Sequence, residues 1–188
     1  MNKLSRNLLV TAIALGTSLF SVSSMAAVKD GNLNFNFQGV IPAKAVTPAD
    51  WSFVTTSGAT YNPTSIALSA VSQADGSYNL ETLSPEVFAI KVTSGAFTAS
   101  SKIQATLSSS SVSGTGLLGD TSTLAPTVKI NGVSLSATAA DVATPASGAT
   151  QVPMTLTSAL VVPVANVNPT GGNVSSTTAV IFSADVTA

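Results

Sequence analysis

The chain has 188 residues, 45% of them hydrophobic and only 8% charged. It contains no histidine and no cysteine. That removes the commonest general base, the usual soft metal ligands and any disulfide. Basic and acidic residues nearly balance, for a net charge of −1, and no basic patch exists, so nucleic acid is not an expected partner.

Met1 to Ala26 reads as a secretory signal peptide. Lys3 and Arg6 form a positive start, "LLVTAIALGTSLF" an apolar core, and Ser24 to Ala26 ("SMA") a small-residue cleavage site. The expected cut lies after Ala26, with Ala27 as the alternative. The apolar run is too short and too interrupted to span a bilayer well, so direct membrane insertion is not expected. The remainder, from Ala27 on, has the length of one domain. It carries Lys29, Lys44, Lys91, Lys102 and Lys129 against eight acids, a net of −3. A chain exported to a compartment that permits disulfides, yet lacking them, must rely on packing and sheet hydrogen bonds.

The next stretch, "LNFNFQGVI" (33–41), alternates strictly. Leu33, Phe35, Phe37 and Ile41 share one face, while Asn34, Asn36, Gln38 and Val40 share the other. This period of two marks a β-strand. Gly39 falls where the next large apolar side chain belongs, which weakens a strand unless something approaches closely. Pro42 ends the run, and "IPAKAVTPAD" (41–50) reads as a linker before Trp51.

Beyond the linker, short alternating runs separated by Gly, Pro, Asn and Ser clusters recur, the pattern of an all-β sandwich. The expected strands are 51–56, 65–71, 87–93, 102–108, 126–130, 133–137, 152–164 and 178–186. Asn131-Gly132, between "TVKI" and "VSLS", predicts a two-residue hairpin turn. The Ser/Gly-rich 108–126 reads as a loop. Within 137–150, "TAADVA" reads equally as a short helical turn or a plain connector. "VNPTGGN" (167–173) is a turn before the last strand. On that strand Val180, Phe182, Ala184 and Val186 share one face.

No catalytic motif emerges. Serines abound without a histidine to activate them, and neither Ser-x-x-Lys nor Gly-x-Ser-x-Gly occurs. Glu81 and Glu86 read as a solvated loop pair, not a glycosidase dyad. "SGTGLLGD" (113–120) lacks the lysine of a phosphate loop. Asp120 and Asp141 stand too isolated for calcium. The expectation is a non-enzyme without cofactor or metal. Trp51, Tyr61 and Tyr78 could serve a carbohydrate contact if exposed, but a single Trp near a strand start is more often core, and no receptor site is assigned.

From alternation alone, 33–41 is either the first strand of a self-complete sandwich or a strand built to slot into a neighbour. "GNLNFNFQGVIPAKAVTPADWSFV" and "VKINGVSLS" bring in a resemblance. The chain resembles the subunits of bacterial chaperone–usher fimbriae, and more narrowly the cysteine-free major subunits of coli surface antigen fimbriae of enterotoxigenic strains. The resemblance is specific over the segment after the signal peptide and loose elsewhere. It implies an immunoglobulin-like sandwich (42–188) that lacks its last strand, preceded by a donor extension (27–41). Leu33, Phe35, Phe37, Gly39 and Ile41 would fill successive pockets of the next subunit. Val180, Phe182, Ala184 and Val186 would line the receiving groove and face the chaperone.

The implied partners are copies of the chain joined head to tail, a periplasmic chaperone, an outer-membrane usher and a host-cell receptor. The implied location is a surface fimbria reached through the periplasm. Two positions depart from the family pattern. Thr187 stands where an aromatic residue is usual, and Ser175 where a glycine is usual. The reading from a different class is a self-complete sandwich that serves as a binding module or adhesin.

Overall fold

A computed structural model describes residues 50–186. The expected signal peptide and the expected donor strand with Leu33, Phe35, Phe37, Gly39 and Ile41 lie outside the described residues.

Ten strands and one 3-10 turn run in order: β1 Trp51–Val54, β2 Leu68–Ser72, β3 Tyr78–Thr82, β4 Glu86–Val92, β5 Ile103–Ser113, β6 Thr127–Ile130, β7 Val133–Ser134, β8 Ala140–Ala143, β9 Gln151–Val162, the 3-10 turn Val164–Asn166, and β10 Ser175–Ala184. They form two antiparallel sheets. One has the order β1-β4-β9-β3-β2, with β6 also on β9 and β7 on β6; the other has the order β10-β5-β8. The fold is an all-β, immunoglobulin-like sandwich.

Strand β9 organises the larger sheet. Leu156 pairs with both Glu86 and Ile130, and Ala159 with both Glu81 and Thr127. A residue has one partner per side, so β3 and β4 lie end to end along one side of β9, with β6 on the other. The Thr82 hydroxyl fills the gap between β3 and β4. It donates to the Ser158 carbonyl at 3.0 Å and accepts from the Ser158 N–H at 2.6 Å.

Alternation sets what is buried. Phe88, Ile90 and Val92 of β4, Met154 and Leu160 of β9, and Ile103 and Ala105 of β5 point inward and are buried. The core has two parts. One gathers Trp51, Phe88, Ile90, Phe97, Ile103 and Met154 among others; the second holds Leu80, Val112, Leu117, Leu124, Leu160 and Val162 at the opposite end. Trp51 is indeed a core residue, 4% exposed.

Three sequence expectations are corrected. Strand β5 runs on through Ser113, into a stretch that the composition marks as loop. A bulge permits it: Ala179 faces Ser109 but Val180 faces Leu107, leaving Ser108 as the extra residue. The bulge switches the inward set from Ile103, Ala105 and Leu107 to Val112. "TAADVA" is neither helical turn nor plain connector, because Ala140–Ala143 pairs with β5 and Val142 is buried. Strand β3 has no counterpart among the expected strands, since only Leu80 of its five residues is buried.

Asn131-Gly132 is the expected tight turn, with φ of 49° and 81° joining the Ile130–Val133 pair. Asn131 does more than turn the chain. Its N–H donates to the Thr155 carbonyl and its Oδ1 accepts from the Thr155 N–H, both at 2.8 Å, while Nδ2 donates to the Val142 carbonyl at 3.1 Å. One side chain thus ties β9 of the larger sheet to β8 of the smaller.

At the end holding the second core, 114–118 and 166–174 are stitched backbone to backbone. Gly116 N–H donates to the Asn173 carbonyl and Asn168 N–H to the Gly116 carbonyl, both at 2.9 Å. A Cβ on Gly116 would lie 2.9 Å from the Gly172 carbonyl oxygen, closer than backbone allows. Gly116→Ala is therefore expected to cost about 1–3 kcal/mol, as overpacking of a rigid contact does. Urea denaturation of the full chain measures it, and an unchanged midpoint would mean that this end is looser than the structure shows.

Candidate functional site

The two flanks of the sandwich differ. On one, β7 and β8 are successive strands of opposite sheets, and Asn131 ties the sheets together. On the other, β1 edges the larger sheet and β10 edges the smaller. Strand β10 pairs with β5 along its whole length, and its other edge has no partner strand among the described residues. Strand β1 is partly covered by its own chain. A hairpin through Gly58 returns so that Thr60 bridges Val54 and the Tyr61 N–H donates to the Phe53 carbonyl at 3.1 Å.

An aromatic floor joins the two edges. Phe182 of β10 lies edge-on to Phe53 of β1 (ring centroids 5.4 Å apart) and to Phe88 of β4 (5.7 Å). Tyr61 stacks on Phe88 at 5.2 Å, and Trp51 meets Phe53 edge-on at 5.1 Å. Such pairs add about 0.5–1.5 kcal/mol each beyond the area they bury.

The structure places Val180, Phe182, Ala184 and Val186 on this flank, packed against the main core and only half-buried. Along β10 the inward residues alternate with exposed ones, and none of those four reaches the burial of the β4 or β9 core residues. Further along the same face come Thr178 and Ser176, both half-buried. The Ser176 hydroxyl is buried and has no hydrogen-bond partner among the described residues. The open flank is therefore a trough, apolar at the Val186 end and hydroxyl-lined at the Ser176 end. A shallow depression of about 450 Å³ adjoins it at the β1 edge, between Ser52, Phe53, Thr60, Tyr61 and Lys91.

Sequence reasoning misses one member. The expected solvated pair of Glu81 and Glu86 does not form. Glu81 lies in β3, exposed, whereas Glu86 opens β4, half-buried and on the inward-facing set with Phe88. The Tyr61 hydroxyl donates to Glu86 Oε1 at 2.9 Å. The inward placement of Glu86 has a sequence signal, since "EVFAIKV" puts it in phase with Phe88, Ile90 and Val92. Tyr61, a candidate carbohydrate contact, is instead half-buried in the aromatic floor; Tyr78 is 36% exposed at the start of β3.

The remaining acids make ordinary local contacts. Asp120 Oδ1 accepts from the Ser122 N–H, and Asp141 takes the Lys102 ammonium and the Gln104 amide. No group of three His, Cys, Asp or Glu suited to a metal occurs among the described residues.

Burial pushes the Tyr61 phenol well above its usual range, and the hydrogen bond to Glu86 and the nearby carboxylate charge push it further the same way. A raised folded-state value means the group holds its proton longer in the folded chain. The associated stability is present below about pH 10, the unfolded value, and is lost as pH rises toward the folded one. Absorbance titration near 295 nm is expected to show a phase well above pH 10 that Tyr61→Phe removes and Glu86→Gln shifts partway down. A Tyr61 that titrated near 10 would contradict the buried contact.

The chain is similar to the CS5 fimbrial subunit of Escherichia coli. The two are 45% identical over 51 residues, which is 27% of this chain and 25% of that protein. The match thus spans about a quarter of that relative's length. No protein-family model matches the chain.

Proposed function

We propose that the protein is a structural subunit of an adhesive surface fimbria and polymerises head to tail by donor-strand exchange. The observation that carries this reading is the open flank. Strand β10 has no neighbour on one edge among the described residues, and its inward row Val180, Phe182, Ala184 and Val186 is left half-buried. Such an edge templates the pairing of a further strand. The sequence offers one with the right pattern in Leu33, Phe35, Phe37, Gly39 and Ile41. The partial likeness to the CS5 fimbrial subunit supports the same reading.

The energetics are adequate. A strand over 33–41 spans roughly 30 Å and can pair its backbone with β10. Burying Leu33, Phe35, Phe37 and Ile41 contributes on the order of 6–12 kcal/mol gross. Ordering the segment opposes part of this. Each subunit gives a strand to one neighbour and takes one from the other, and a contact of that kind does not close, so it builds a filament.

On this reading residues 1–26 direct export. A periplasmic chaperone covers the β10 edge until the outer-membrane usher hands the subunit to the fibre. The fibre presents the chain at the cell surface, where it meets a host-cell receptor. The role is mechanical, not catalytic, and needs no cofactor.

The test compares the mature chain, Phe37→Asp and a deletion of 27–41, each co-expressed with the matching chaperone, released and run unboiled on an SDS gel. A ladder is expected from the first and monomer from the other two. A folded monomer from the intact chain would instead support a self-complete binding module.

A further inference from the structure

We propose that Asn131-Gly132 is a self-modification site that the fold holds shut: a chain that leaves the folded state loses the Asn131 amide as ammonia, and with it the tie between the two sheets. The inference is independent of what fills the open flank.

Asn131-Gly132 is the one Asn-Gly pair in the chain. An asparagine side-chain amide is open to attack by the backbone nitrogen of the next residue, which closes a cyclic imide. Glycine favours this step, because it has no side chain to shield its nitrogen and its backbone rotates freely. The Gly132 nitrogen bonds to Asn131 Cγ, the bond from Cγ to Nδ2 breaks, and ammonia departs with the proton that Gly132 gives up. Water then opens the ring. Cleavage between the Gly132 nitrogen and Cγ leaves aspartate. Cleavage between that nitrogen and the backbone carbonyl carbon leaves isoaspartate, with the main chain rerouted through the side chain. Water is the one co-reactant.

Exclusion from solvent does not protect this pair, since Asn131 and Gly132 are both exposed at the tip of the β6–β7 turn. Their hydrogen bonds do. Oδ1 accepts from the Thr155 N–H at 2.8 Å, while Nδ2 donates to the Val142 carbonyl at 3.1 Å and lies 3.3 Å from the Met154 sulfur. The amide is thus pinned at both of its polar atoms, to β9 and to β8. The backbone is pinned as well, because the Asn131 N–H donates to the Thr155 carbonyl at 2.8 Å. To bring Cγ onto the Gly132 nitrogen, the amide must swing off these partners. Met154 is fully buried, and β9 is paired with β3, β4 and β6, so the partners do not follow it. Ring closure is therefore confined to chains in which the turn has opened.

Neither product restores the tie. In aspartate an oxygen replaces the Nδ2 donor and faces the Val142 carbonyl, acceptor against acceptor, so the link to β8 is lost. Isoaspartate also adds a methylene to the main chain, which misfits a two-residue turn closed by the Ile130–Val133 pair. The change falls on the flank that Asn131 holds closed. A chain that folds promptly keeps its amide, whereas one that lingers unfolded is altered for good at the point where its sheets are joined.

The experiment holds the purified chain at one mildly alkaline pH, folded in buffer and unfolded in concentrated urea. Peptide mapping by mass spectrometry follows asparagine, aspartate and isoaspartate at position 131 with time. Conversion is expected to be about tenfold slower or more in the folded chain, the factor that one or two broken hydrogen bonds supply. Asn131→Asp installs one of the two products at a positive φ that aspartate tolerates. It is expected to unfold at a lower urea concentration than wild type, or not to fold. The inference is overturned if the folded chain is protected by less than that factor, if Asn131 does not convert in urea, or if Asn131→Asp unfolds at the wild-type midpoint. The rate comparison needs no variant to fold, so it decides even where Asn131→Asp does not. None of these outcomes bears on polymer formation, which the unboiled gel reads separately.

Discussion

Every backbone N–H and C=O at a sheet edge must find a partner or stay wet, and among the described residues the two flanks of this sandwich answer that constraint differently. On the flank of β7 and β8, the Asn131 side chain reaches from Thr155 on one sheet to Val142 on the other. Opposite, β10 pairs with β5 alone among the described residues. The aromatic floor of Phe53, Tyr61, Phe88 and Phe182 joins the two sheets where no described strand covers the seam. These rings hold the flank together by packing where backbone pairing does not.

The bulge at Ser108 matters because of this asymmetry. Had β5 kept one register, either its own inward set or that of β10 would have broken phase midway. The extra residue lets β5 change phase while β10 keeps its even-numbered residues inward from Ser176 to Val186. The open edge thus presents one continuous row, graded from hydroxyls to apolar groups. The stitched loops around Gly116 and Gly172 fix the point at which that row begins. On the donor-strand reading, an extended occupant would meet a surface whose two ends differ chemically.

Much of this is legible in the sequence, and the failures have physical causes. Alternation locates β1, β4, β6, β9 and β10 to within a few residues, because each has several large apolar side chains on one face. The Asn131-Gly132 turn is legible because positive φ at two successive positions admits few residue types. Strand β3 escapes notice because Tyr78–Thr82 buries one large side chain, Leu80, and is recruited by its neighbours β2 and β9. Strand β8 is ambiguous because alanine-rich stretches suit helix and strand alike, and only pairing with β5 decides. The serine run 108–113 looks like a loop because its inward positions beyond the bulge carry little apolar signal. At the site, the row on β10 can be read from its period of two. The partnership of Glu86 with Tyr61 joins residues 25 apart across a hairpin, and no local pattern reports it.

A carboxylate beside an aromatic floor is costly if the role of the flank is affinity alone, since an apolar residue at position 86 would bind an apolar strand more tightly. Its placement makes sense when the open state is weighed as well. An uncovered apolar edge accepts any extended chain, and aggregation is the default outcome. On the donor-strand reading, one half-buried acid beside the trough would keep the open state wet and would impose a desolvation cost on any occupant. A strand with several large apolar side chains and a long run of backbone pairing can meet that cost, whereas a short or poorly matched segment cannot. Among the described residues, every lysine is exposed and none is bonded to this acid. On the donor-strand reading, selectivity would come from a penalty common to all occupants and from their different capacities to outweigh it.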